Sequence, residues 1–109
     1  MEKLRIYQDA LKLVAEVYLL IKNDTELAKD FSLNDQLKRA TISIVANIAE
    51  GYKRTKKQYK NYLQIASGSC NEVVALLQIV ELVYKAETKS LRDSFNVLGK
   101  RINALYKVL

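Results

Sequence analysis

The chain has 109 residues, half of them apolar, with 18 Lys and Arg against 12 Asp and Glu for a net charge of +6 and a pI of about 9.4. That length supports one hydrophobic core and one domain, residues 1–109, and the basic balance favours a polyanionic partner. Histidine is absent, which removes the usual general base and the commonest metal ligand; with no cysteine pair, Gly-rich phosphate loop or nucleophile elbow either, the chain is expected to be no enzyme and to hold no metal or cofactor.

Proline is also absent and glycine occurs only three times, a composition that suits long, uninterrupted helices and predicts an all-α fold. Ala10, Val14, Val17 and Ile21 recur at steps of three and four and predict a first helix over 6–22. Asn23 to Phe31 reads as a connection holding one helical turn at Thr25 to Lys29, and Ser32, with Asp35 three residues on, reads as the next N-cap. Leu33, Leu37, Ala40, Ile44 and Ile48 mark a second helix over 33–50, widened by Ile42, Val45 and Ala49 beyond what one neighbour would cover.

Gly51 follows the last periodic residue, where a left-handed cap is expected, and Thr55-Lys-Lys-Gln58 matches the capping box that opens a new helix. Asn47 and Glu50 are read as hydrogen-bonding groups at this turn. The third helix, 56–85, carries Tyr59, Leu63, Ala66, Cys70, Val73, Leu77, Val80 and Tyr84. Its centre, Ala66-Ser-Gly-Ser-Cys70, is a run of small residues. Gly68 there costs about 1 kcal/mol relative to Ala, so close approach by another helix is expected, with Ala40, Ala46 and Ala49 as counterparts. Thr88 or Ser90 can cap a fourth helix, 89–108, patterned by Leu91, Phe95, Leu98, Ile102 and Leu105. The simplest arrangement is an up-down-up-down antiparallel four-helix bundle.

The lone Cys70 lies among apolar neighbours and reads as a small buried side chain. No apolar run reaching the roughly 18 residues of a membrane span is expected, nor a secretory signal, and a soluble, cytoplasmic protein follows.

In such a bundle the start of helix one, the end of helix two, the start of helix three and the end of helix four share a pole. Ten cations and three carboxylates fall there, a net of +7, whereas the opposite pole sums to zero. Lys53, Arg54, Lys56, Lys57 and Lys60 form an unbroken basic cluster, joined by Lys100 and Arg101. A solvated basic surface is the plain alternative, and it suits a helix C-terminus. Lys56, Lys57 and Lys60, however, stand at a helix N-terminus, where positive charge opposes the dipole by about 0.3–1 kcal/mol each. Lysines beside free N–H groups make an anion site, so these seven residues are the candidate nucleic-acid contacts. Tyr52, Tyr59 and Tyr62 interleave with them as candidate base-stacking or, more in keeping with tyrosine's usual role, packing and interface residues.

Gln36 to Tyr52, with its Ala46-Asn-Ile-Ala-Glu-Gly51 turn, the Ile65-Ala-Ser-Gly-Ser-x-x-Glu72 run, the Tyr7-Gln8 opening and Leu98-Gly-Lys-Arg-Ile-Asn-Ala-Leu105, resemble the bacterial four-helix bundle family of 23S rRNA-intervening sequence proteins. Many members carry a Phe-Pro-Lys-like loop after helix one that this proline-free chain lacks, so that connection is expected to differ. The resemblance implies bundles that assemble as rings, often homopentamers, and that are encoded within spacers in ribosomal RNA genes. It also implies distant relatives that act as accessory proteins of diversity-generating retroelements, where a basic pentamer binds a reverse transcriptase and nucleic acid. Two functions are therefore expected: a ring-forming, non-enzymatic nucleic-acid binder or, as the alternative, a protein-interaction accessory subunit, for example of a reverse transcriptase.

Overall fold

The computed structural model describes Met1 to Leu109 as five helices: α1 (Glu2–Asn23), α2 (Thr25–Lys29), α3 (Phe31–Tyr52), α4 (Lys56–Tyr84) and α5 (Lys89–Val108). The long helices α1, α3, α4 and α5 form the up-down-up-down bundle. Each of α1 and α4 packs between α3 and α5, so α1 and α4 sit on one diagonal and α3 and α5 on the other. α4, with 29 residues, is roughly 44 Å long at 1.5 Å per residue and runs the whole 43 Å length of the molecule.

The shared core contains Ile6, Val17, Leu37, Ile44, Leu63, Val73, Leu77, Phe95 and Ile102, all essentially without solvent contact. These residues recur on the inward stripe of each helix, which is why the 3.6-residue pattern located all four. Cys70 lies among them, and burial pushes its thiol up to about 12, so it remains a small apolar side chain. α4 is nevertheless long and apolar enough by length and composition to cross a membrane, contrary to the sequence reading. Its Ser, Asn and Gln residues interrupt the apolar run without adding charge, and its inward face supplies core to the bundle.

Two caps order the first connection. Asp24 accepts N–H bonds from Glu26 and Leu27 at 3.1 and 3.0 Å to start α2, whose Leu27 plugs the end of the core. Asp30, not Ser32, caps α3, accepting from the Leu33 N–H at 3.1 Å. Asp and Ser cap equally well, and the choice is made from afar: the Tyr84 hydroxyl donates to Asp30 at 2.6 Å. That bond, with the Leu33 N–H, holds the Asp30 carboxyl below its usual range. Asp35 pairs instead with Arg39 at 2.8 Å. At the far connection Thr88 is buried, its hydroxyl within 3.2 Å of the Leu77 carbonyl and 3.1 Å of Glu81. Arg92 closes this cluster on Glu81.

Two glycine expectations are corrected. Gly51 is helical, with no positive φ, and α3 continues to Tyr52. Its role is clearance: a Cβ there would lie 2.8 Å from the Tyr62 Cβ and 2.9 Å from Tyr59 Cδ1, so the missing side chain lets α3 and α4 close together at their turn. Gly68, in contrast, is exposed, with nothing within 4 Å of a Cβ. The small-residue run meets α3 one residue later, where the hydroxyls of Ser43 and Ser69 lie 3.0 Å apart. It meets α5 at Gly99, whose added Cβ would be 3.5 Å from the Cys70 Cβ. Of the expected counterparts only Ala40 is buried; Ala46 and Ala49 face outward.

Candidate nucleic-acid interface

The pole pooled from the sequence is a physical end of the bundle. Lys3 of α1 places its Nζ 6.0 Å from the ring centre of Tyr52 on α3 and 5.5 Å from that of Tyr59 on α4. Glu2 meets Arg101 of α5, and Lys60 of α4 lies 4.7 Å over the ring of Tyr106 on α5.

The α3–α4 turn is built by local chemistry. The Arg54 N–H bonds the Gly51 carbonyl at 3.0 Å, and Thr55 and Gln58 form the reciprocal capping box expected of them, at 3.2 and 3.4 Å. Because the box occupies the Gln58 N–H, the N–H groups of Lys56 and Lys57 are the ones left without an intrahelical acceptor. Asn47 donates to the Ser43 carbonyl and hydroxyl at 2.8 and 3.0 Å. Those bonds lie within α3, so Asn47 is not the group of the turn that was expected, whereas Glu50 pairs with Arg54 one turn on and is one.

The seven candidate cations divide by what they touch. The side chains of Lys53, Lys56 and Lys57 are exposed and make no hydrogen bond or ion pair within the chain, and they cluster on the turn and first turn of α4. Lys60 is half-buried beside them on Tyr106. Arg54 is shared with Glu50, which raises its pKa. Lys100 is exposed on α5, about 12 Å short of the helix end at 1.5 Å per residue.

Arg101 departs from the solvent-facing role expected of it. Its guanidinium forks onto Glu2, with both bonds at 3.1 Å, and reaches Asp9 at 2.5 Å, and its side chain is only 28% exposed. The two carboxylates raise its pKa, and the guanidinium in turn holds Glu2 below its usual range. Arg101 is the clasp between α1 and α5. Lys3, on the other hand, is not among the seven candidates, yet it stands at this pole. Its signal was the one that marked Lys56 and Lys57, a lysine in the first turn of a helix where the dipole disfavours it.

The tyrosines separate as well. Tyr59 is 4% exposed, beneath Gly51, and its hydroxyl has no partner; burial raises its pKa. It packs in the core and cannot stack on a base. Tyr62 is half-buried against Gly51. Tyr52 is 56% exposed, with its ring set edge-to-face on Tyr59 at 6.4 Å and 86°.

A crystal structure of a protein of unknown function from the S23 ribosomal protein family, from Bacteroides thetaiotaomicron, has the same fold. The two superpose with a TM-score of 0.89 over 98% of this chain and 99% of that one, at 22% identity. No curated protein matches the chain. The family model of the 23S rRNA-intervening sequence proteins matches residues 2–104, essentially the whole bundle together with the Ala-Asn-Ile-Ala-Glu-Gly segment that ends α3 at the basic pole, and the chain belongs to that family.

Proposed function

We propose that this protein is a non-enzymatic, oligomeric bundle that binds the phosphates of RNA or DNA through its basic pole. The observation that carries this reading is the group of unpaired lysines at the α3–α4 turn. Lys53, Lys56 and Lys57 find no carboxylate in the chain, and two of them stand beside free N–H groups at a helix N-terminus. Like charge there destabilises the helix unless an anion offsets it.

Assembly into a ring is supported by apolar surface on two different faces. Leu11 and Tyr18 lie seven residues apart on α1, and Ile65, Ile79, Leu82 and Val83 lie on α4; all are exposed. One such face against the other gives a head-to-tail contact, which closes into a ring when the rotation per copy divides a full turn. Family membership suggests a homopentamer. A ring would gather the basic poles on one side and multiply weak phosphate contacts. The exposed faces also fit the second reading, an accessory subunit docked on a protein such as a reverse transcriptase.

The test is polarisation binding of labelled structured RNA and duplex DNA to the purified protein and to a Lys56→Glu, Lys57→Glu, Lys60→Glu variant, with sedimentation of both. The reading expects tight binding by the wild type, loss of binding by the variant, and the same ring size for both. Unchanged affinity in a folded variant would remove the phosphate site, and no binding by a correctly assembled wild type would favour the protein partner.

A further inference from the structure

An apolar cleft opens at the basic pole between the first turns of α1 and the last turn of α3, with a volume of about 340 Å³. Ile48 forms its floor and is almost fully buried, while Leu4 and Tyr52, each 56% exposed, stand at its walls with Tyr7 and Ala49. Lys3 and Lys53 are the charged side chains on its rim, with Met1 beside them, and no carboxylate lines it. The volume is at the small end for a ligand pocket, which suits a single ring system.

We infer that this cleft receives one unpaired base of a bound strand, stacked beside Tyr52, while Lys3 and Lys53 hold the flanking phosphates. The inference rests on the nucleic-acid reading and adds a preference for single strands. Charge complementarity selects the occupant: an apolar slot with cations on its rim fits a group that is flat and aromatic at its centre and anionic on both sides, as a nucleotide within a strand is. Lys3 is fixed over two tyrosine rings and engages no carboxylate, so its ammonium keeps donors free for a phosphate. Tyr52 lies next in sequence to Lys53, which ties the stacking ring to the phosphate-binding turn. A base within a duplex would have to leave its stack and its partner to enter the cleft, which disfavours it against an unpaired one.

The test compares a labelled oligothymidylate with an abasic strand of the same length and charge, binding to the wild type, Tyr52→Ala and Tyr52→Phe at low salt, with sedimentation of each protein. The wild type should bind the intact strand about 5- to 150-fold more tightly than the abasic one, the range for one base on one aromatic ring. Tyr52→Ala should erase that ratio while keeping the abasic affinity, and Tyr52→Phe should retain it. Equal, measurable affinities for the two strands in the wild type would overturn the cleft assignment and leave the phosphate reading intact. Failure of both strands to bind would remove the two together. A Tyr52→Ala change that alters self-association but not the ratio would also overturn it, assigning the cleft to a protein contact.

Discussion

Gly51→Ala and Gly68→Ala should change stability in opposite directions, although both add one methyl to a helix, Gly68 at the middle of α4 and Gly51 in the last turn of α3. Replacing Gly by Ala gains about 1 kcal/mol of helix propensity in a helix interior and at most that in a last turn. At Gly68 nothing lies within 4 Å of the new methyl, so the gain stands, and the melting temperature should rise by roughly 4 °C for a domain of this size. At Gly51 the methyl meets the Tyr62 Cβ at 2.8 Å and Tyr59 Cδ1 at 2.9 Å. A Cβ is tied to the α4 backbone and Tyr59 is buried, so neither can swing away and α3 and α4 must part. Overpacking of this kind costs about 1–3 kcal/mol. Taking the upper end and subtracting the largest propensity gain leaves a net loss of at least about 2 kcal/mol, or roughly 8 °C. Thermal melts followed by circular dichroism at matched concentration decide it. A Gly51→Ala protein that melts at or above the wild-type temperature would refute the clearance explanation for this glycine.

Tyr59→Phe should be neutral or stabilising by up to about 1 kcal/mol, since it removes a buried hydroxyl that has no partner; a melting temperature several degrees lower would mean that the hydroxyl is bonded. Asp30, Glu81 and Glu2 all have folded-state pKa values below their ordinary ones. Their contribution is therefore full above the ordinary carboxylate range and is lost as pH falls through the lower, folded values. Melts from pH 7 to pH 3 should show a plateau and then a decline on the acid side, and Tyr84→Phe, which removes the main bond to Asp30, should make the decline shallower; an unchanged acid limb would count against that bond.

What could be read from the sequence was local. The inward stripes give the four long helices, the single turn at Thr25 to Lys29 was visible in its turn formers, and Thr55 and Gln58 announce their capping box because both partners lie within one turn. What escaped depends on groups far apart in the chain. Asp30 prevails over Ser32 through a hydroxyl 54 residues away. Arg101 is drawn to carboxylates 92 and 99 residues distant, so its basic neighbourhood in sequence misstated its surroundings. Gly51 looked like a cap, while its real constraint is two tyrosines on the next helix. For Tyr59 the signal was present: it is in phase with Leu63, Ala66 and Cys70, and that phase alone puts it inside.

The most direct measurement is the salt dependence of duplex DNA binding for the wild type and for Lys56→Gln, Lys57→Gln. If Lys3, Lys53, Lys56 and Lys57 each neutralise one phosphate, log affinity should fall with log salt at a slope of about −3.6, roughly a 150-fold loss between about 50 and 200 mM. The double variant should bind with a slope of about −1.8 and lose roughly 12-fold over the same interval. Equal slopes for the two proteins would contradict the claim that these lysines contact phosphate.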